Sequence, residues 1–133
     1  MLQQVAILPA GCQVYRKASV LYYSASRILY ASSLAVYVLD PQTFRVIKVL
    51  SMNQRAITSI TVSEINPDYM VVTGRDGLVT LWHIEEEEML SQIVLAGSVI
   101  AAWNPLVGTQ VAILSEEMPR LHLWLVYCCA SVF

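Results

Sequence analysis

The stretch from Thr73 to His83, which reads TGRDGLVTLWH, decides the fold that this 133-residue chain can adopt. Asp76-Gly77 is a dipeptide that favours tight turns, because both residues tolerate the backbone angles that a short hairpin loop requires. The run from Leu78 to Trp82 is rich in β-branched and aromatic side chains, which pack well on a pleated sheet. The stretch therefore predicts a turn that leads into a short aromatic strand.

The aromatic strand recurs at regular intervals along the chain. Tyr37, Trp82 and Trp124 hold matching positions in three apolar runs, and the two intervals between them are 45 and 42 residues. A period of about 40 to 45 residues with four short strands is typical of one blade of a β-propeller. We therefore predict an all-β fold, a partial β-propeller of about three four-stranded antiparallel blades in a ring that is not closed. The three runs are LAVYVL at 34–39, LVTLWHI at 78–84 and LHLWLV at 121–126.

The remaining strand signals set the predicted bounds of the blades. The whole chain, 1–133, is assigned to one partial propeller, with blade one at about 18–50, blade two at about 57–95 and blade three at about 99–133. An extra N-terminal strand is predicted over 4–8. Within the blades, the predicted strands lie near 18–23, 27–31, 34–39 and 44–50, then 57–63, 69–73, 78–84 and 89–95, then 99–103, 110–114 and 121–126.

The stretch around Trp82 resembles the WD40 repeat family, and the resemblance extends over roughly residues 5–125. Thr73-Gly74 matches the serine-glycine turn of the family, and Asp76 stands six residues before Trp82, as the family's aspartate does. The resemblance implies a structural hydrogen-bonded network of four groups, in which Thr73, Asp76 and Trp82 are three members. The fourth position is a histidine in the family and is Asn53 here, and the segment from Thr73 to Asp76 is one residue shorter than usual.

The resemblance implies that the chain binds protein or peptide partners. Alternate connections of an antiparallel meander emerge at opposite ends of the sheet, so the loop before blade two and its second turn share one end. We therefore expect Asn53, Arg55 and Arg75 to form a candidate binding face, with Asp68 and Glu86 at the opposite end. The sequence thus favours an interaction scaffold, and the alternative is a membrane-associated or other small all-β protein of unknown activity.

The composition is more apolar than that of a typical soluble domain. Hydrophobic residues make up 56% of the chain and charged residues 14%, against roughly half and a quarter in typical domains. The longest uncharged apolar run, Leu123 to Phe133, is shorter than the roughly 20 residues that a bilayer-spanning helix needs. We expect instead that protein covers the excess apolar surface, either further blades of the same chain or another propeller chain, and we expect no membrane partner.

The charged residues, histidines and cysteines predict neither a nucleic-acid partner nor an enzyme. The net charge is −2 and the basic residues are scattered, so no basic patch for nucleic acid is predicted. His83 and His122 flank aromatic strand residues, which indicates repeat positions rather than metal ligands, and we expect no cofactor. Cys12, Cys128 and Cys129 form no C-x-x-C motif, which favours reduced thiols in a cytoplasmic protein. Glu85–Glu88 is the only charge run and is expected to be a solvated turn, with attraction of a cation or a basic partner as the alternative.

Overall fold

The computed structural model describes residues 1–4, 21–32, 35–51, 57–117 and 120–126. These described residues contain eleven β-strands and no helix, so none of their elements is a helix long and apolar enough to cross a membrane. Every strand pairs antiparallel with its neighbour along the chain inside one of three sheets. The strands are β1 (Leu21–Tyr23), β2 (Ile28–Ala31), β3 (Ala35–Leu39), β4 (Val46–Ser51), β5 (Ile57–Val62), β6 (Tyr69–Gly74), β7 (Leu78–His83), β8 (Glu88–Val94), β9 (Val99–Trp103), β10 (Gln110–Ser115) and β11 (Leu121–Leu125).

The three sheets follow one another in chain order. Sheet one contains β1 to β4, sheet two contains β5 to β8, and sheet three contains β9 to β11. Tyr37, Trp82 and Trp124 each lie in the third strand of their sheet, as their spacing predicts. The predicted all-β architecture, an unclosed part of a β-propeller, is confirmed by this succession of meanders.

Some parts of the predicted strand assignment fall beyond the structure. Residues 5–8 of the predicted N-terminal strand and residues 127–133 of blade three lie outside the described residues. Sheet three accordingly contains three strands within the part of the chain that the structure describes. The assignment of 1–133 to a single propeller segment, with its blade bounds, stays a prediction.

The start of β4 lies two residues later than predicted, because a capped turn precedes it. Asp40 Oδ1 accepts the amides of Gln42 and Thr43 at 2.7 and 3.1 Å. Phe44 follows with a φ of 57°, which is a left-handed conformation that a strand does not contain. The extended backbone therefore begins only at Val46.

The turn between β6 and β7 requires glycine at residue 77. Gly77 has a φ of +81°, which glycine adopts without steric cost. A Cβ at this position would come 1.8 Å from the carbonyl oxygen of Leu95. This close approach lets the Leu95 amide donate to the Gly77 carbonyl at 2.8 Å, and the bond connects the turn to the segment that follows β8.

Two buried clusters join the three sheets. The first interface lies between sheets one and two, and the second interface lies between sheets two and three. Strand β6 contributes to both, since its side chains alternate between the two faces and all six of its residues are buried. The first interface is built around Leu29, Val36, Val38, Ile60, Met70 and Val72. The second is built around Val71, Val79, Leu81, Val99, Val111 and Ile113.

Candidate functional site

The connections of sheet two place its loops at two opposite ends. The β6–β7 turn, which carries Arg75, lies at the same end as the start of β5, because Ile57 pairs with Gly74. The β5–β6 and β7–β8 turns lie at the other end, where the Ile84 amide donates to the Asp68 carbonyl at 2.8 Å. We call these the Arg75 end and the Asp68 end.

The residues of the predicted binding face are only partly described. Arg75 is exposed in its turn, whereas Asn53 and Arg55 fall in 52–56, outside the described residues. Asp68 and Glu86 both lie at the Asp68 end, in the β5–β6 and β7–β8 turns. The topology therefore separates Arg75 from Asp68 and Glu86, and a shared face of Asn53, Arg55 and Arg75 stays a prediction.

Asp76 makes a structural contact inside the β6–β7 turn. Its Oδ1 accepts the Leu78 amide at 3.1 Å. A side-chain oxygen that bonds the backbone two residues further on mimics a backbone turn and fixes the chain direction. Asp76 and Gly77 together thus set the path from β6 into β7.

Thr73 and Trp82 lie on opposite faces of sheet two, so the implied network does not join these two residues. Trp82 packs at the first interface, and its indole Nε1 donates to Oγ1 of Thr80 at 3.0 Å. Thr80 Oγ1 donates in turn to the Val72 carbonyl at 3.3 Å. Side chains alternate between the two faces of a strand. Because the segment from Thr73 to Asp76 is one residue shorter than in the family, Val72 and not Thr73 lies on the same face of the sheet as Trp82. Thr73 lies on the opposite face.

Thr73 belongs to a buried hydroxyl cluster at the second interface. Its Oγ1 is 2.9 Å from Oγ1 of Thr58 and also bonds the hydroxyl of Ser59. Thr58 donates to the carbonyl of Val99 in β9, and Ser59 accepts the amide of Ala101 at 3.1 Å. The three hydroxyl residues are at most 1% exposed, so the cluster hydrogen-bonds sheet two to sheet three away from water.

The same face of β5 carries a third hydroxyl that bonds β9. Thr61 Oγ1 accepts the Trp103 amide at 2.9 Å. The sequence analysis did not predict these hydrogen bonds between sheets two and three. The alternation of apolar and hydroxyl residues over Ile57–Val62 is the pattern that indicates them. Hydroxyls on one face of an otherwise apolar strand indicate that backbone groups of a neighbouring element need partners there.

The Asp68 end carries ion pairs between sheets one and two. Arg27 Nη2 lies 3.0 Å from Oδ1 of Asp68 and 3.3 Å from Oε1 of Glu85. Lys48 Nζ lies 3.3 Å from Oε2 of Glu85 and donates to the Glu85 carbonyl at 2.5 Å. Glu85 therefore binds sheet one while its side chain stays partly exposed, and Glu86–Glu88 are exposed, as in the expected solvated turn.

His83 has structural contacts in the β7–β8 turn. Its Nδ1 accepts the Glu86 amide at 3.2 Å, and the ring of Tyr69 meets it edge-on with ring centroids 5.1 Å apart. Within the described ranges, no group of three or more histidine, cysteine, aspartate or glutamate residues is arranged to hold a metal ion.

Sheet three exposes an aliphatic face on the side away from sheet two. The aliphatic side chains of this face are between 48% and 66% exposed. The corresponding side chains of sheet two, Val71, Val79 and Leu81, are at most 3% exposed because sheet three covers them. A shallow cavity of about 240 Å³, lined in part by Ser98 and Glu116, opens at its edge. We call this surface the open face, and it comprises Ile100, Leu114, Leu121, Leu123 and Leu125.

The arrangement of sheets is similar to that of a solved propeller. The chain matches the β-propeller domain of Cps50 (Swd1) from Myceliophteria thermophila with a TM-score of 0.68 and 15% sequence identity. The match covers 90% of this chain and 40% of that chain, so the chain spans less than half the length of the propeller that it matches. No family model matches the sequence. The likeness shows that this chain has the fold of part of a β-propeller.

Proposed function

We propose that this chain is a non-catalytic scaffold for protein–protein interaction, a WD40-type propeller segment that presents loops to protein or peptide partners. The observation that carries the proposal is the open face of sheet three. Contiguous exposed apolar surface on a folded protein marks a contact site for another protein surface or a membrane. The open face belongs to a regular antiparallel sheet, which favours a protein partner of matching shape.

The occupant that we propose for the open face is a further propeller blade, of the same chain or of another propeller chain. Sheets two and three already show how one blade covers another, with Val71, Val79 and Leu81 buried at their contact. The open face repeats these positions one sheet further along. The greater length of the similar solved propeller also supports additional blades.

Self-association of the isolated chain tests the open-face proposal. We expect the wild-type chain to be oligomeric or to bind a hydrophobic dye strongly, and Leu121→Ser with Leu123→Ser to reduce both. Met89→Ser with Leu90→Ser is the matched control, since these β8 side chains are exposed outside the open face. A monodisperse wild-type monomer that melts cooperatively would refute the proposal.

The loops at the Arg75 end are the proposed peptide-binding face, with Asn53, Arg55 and Arg75 as its candidate contacts. The exposure of Arg75 and the turn bonds of Asp76 support this assignment, because a rigid turn presents a side chain at low entropic cost. An Arg55→Ala, Arg75→Ala double variant should lose partners that an Arg45→Ala control retains in a pull-down, since Arg45 is exposed just before β4, outside the proposed face. Retention of every partner by the double variant would contradict the loop assignment alone.

Several finer features of the proposal come from the sequence. Short segments at 10–13, 34–40 and 66–68 resemble the N-terminal region of WD repeat-containing protein 17, which supports a WD40-type propeller. The net charge of −2 supports partners other than nucleic acid or an anionic membrane. A cytoplasmic location is proposed from the cysteine pattern, and localisation of a tagged chain in cells tests it.

A further inference from the structure

Two loops at the Asp68 end expose apolar side chains next to one another. Ile65 in the β5–β6 loop is 57% exposed, and Leu106 and Val107 in the β9–β10 loop are 83% and 38% exposed. The loops are in contact, because a Cβ added at Gly108 would come 3.3 Å from the Cβ of Ile65. We call Ile65, Leu106 and Val107 the Ile65–Leu106 patch.

Hydrogen bonds hold both loops in place. In the β9–β10 loop the Trp103 indole donates to the Gly108 carbonyl at 3.2 Å, and Asn104 Oδ1 accepts the Leu106 amide at 2.9 Å. In the β5–β6 loop the buried Ser63 hydroxyl accepts a loop amide at 3.0 Å. Exposed apolar side chains on fixed loops lose little further freedom when a partner binds, which favours recognition.

Carboxylates outnumber basic residues at the same end of sheets two and three. The β5–β6 and β7–β8 turns contain five of them and Glu88 at the start of β8 is a sixth, while the only lysine or arginine within residues 57–117 is Arg75 at the opposite end. Asp68 and Glu85 bond basic residues of sheet one, and Glu64 and Glu86–Glu88 are exposed. The negative electrostatic potential of these carboxylates attracts cationic segments and repels nucleic acid and anionic lipid.

We propose that the Ile65–Leu106 patch docks a peptide segment of a protein partner, in which an apolar side chain is flanked by lysine or arginine. The apolar side chain packs across Ile65 and Leu106, where the two loops meet. The flanking cations lie toward the carboxylates of the neighbouring turns, which fixes the orientation of the segment. This surface lies at the opposite end from Arg75, and it stands whether or not the Arg75 end binds a partner.

Binding of a defined peptide to the immobilised full chain tests the proposal. The probe is a short peptide in which leucines alternate with lysines, measured beside one peptide with serine for leucine and another with glutamate for lysine. The protein variants are Ile65→Ser with Leu106→Ser, and the matched control Met89→Ser with Leu90→Ser on β8. All four side chains are 41% or more exposed, so both variants are expected to retain the fold, which circular dichroism checks.

The leucine–lysine peptide is expected to bind the wild type and the β8 control alike, and to bind the patch variant about tenfold more weakly or worse. Both altered peptides are expected to bind weakly, and high salt is expected to weaken binding of the leucine–lysine peptide. An unchanged affinity in the patch variant, an equal loss in the β8 control, equal binding of the serine peptide, or no binding of the leucine–lysine peptide to wild type would each overturn the proposal.

Discussion

Replacement of Thr61 by valine tests the role of the hydroxyls that join sheets two and three. Thr61 Oγ1 accepts the Trp103 amide at 2.9 Å, and Trp103 is only 6% exposed. Valine preserves the shape of threonine but cannot accept a hydrogen bond, so the Trp103 amide is left buried without its partner. An unsatisfied buried donor costs about 1–3 kcal/mol, and about 4 °C of melting temperature per kcal/mol is typical at this chain length. We therefore expect a loss of about 4–12 °C.

Two controls separate the hydrogen bond from the change in side chain. Thr61→Ser retains the acceptor and should lose less stability than Thr61→Val, while Thr109→Val changes an exposed threonine and should stay within about 0.5 kcal/mol of wild type. Melting is followed by circular dichroism, and hydrogen exchange of peptides from β9 reports the Trp103 amide directly. Exchange in β9 should accelerate only in Thr61→Val. If Thr61→Val has the same melting temperature as Thr109→Val and the amides of β9 stay protected from exchange, then the hydroxyls of β5 do not stabilise the contact with sheet three.

Three other substitutions test the first interface and the central turn. Arg27→Gln removes the ion pairs to Asp68 and Glu85 and should cost about 1 kcal/mol at low salt, since both carboxylates are partly exposed; an equal cost in high salt would contradict an ionic role. Gly77→Ala should cost more than about 2 kcal/mol, because it combines positive φ with a clash against the facing carbonyl, and a wild-type melting curve would refute the turn geometry. Asp76→Ala should cost about 1–3 kcal/mol through the lost turn bond, and an unchanged melting temperature would count against it.

The features that the sequence predicted well are those that depend on local pattern. The spacing of Tyr37, Trp82 and Trp124 predicted the third strand of each sheet, and Asp76-Gly77 predicted the turn that precedes Trp82. Strand, turn and period are each encoded within about 45 residues and repeat along the chain. The fold class could therefore be predicted from these signals without any knowledge of contacts between sheets.

The contacts between sheets could not be predicted in the same way. Glu85 is separated from Arg27 by 58 residues, and Thr61 from Trp103 by 42, so neither pairing is visible in a local pattern. Thr73 was matched to a family position by its neighbours in sequence, yet a one-residue difference in segment length reverses the face of a strand to which a side chain points. The match by position therefore did not predict which face of β6 Thr73 occupies.

The open face lacks the side-chain acceptors that sheet two presents at the second interface, and this difference limits what can cover it. At the second interface, Ser59 and Thr61 accept backbone amides from the first strand of the next sheet. On the open face the corresponding positions of β9 are Ile100 and Ala102, which pair with Leu114 and Ala112 and offer no acceptor. A blade placed over sheet three as sheet three lies over sheet two would bring two buried amides to aliphatic side chains, at about 1–3 kcal/mol each. A covering blade must therefore satisfy the amides of its own inner strand, by side chains of its own or by water, and this requirement distinguishes that contact from the second interface.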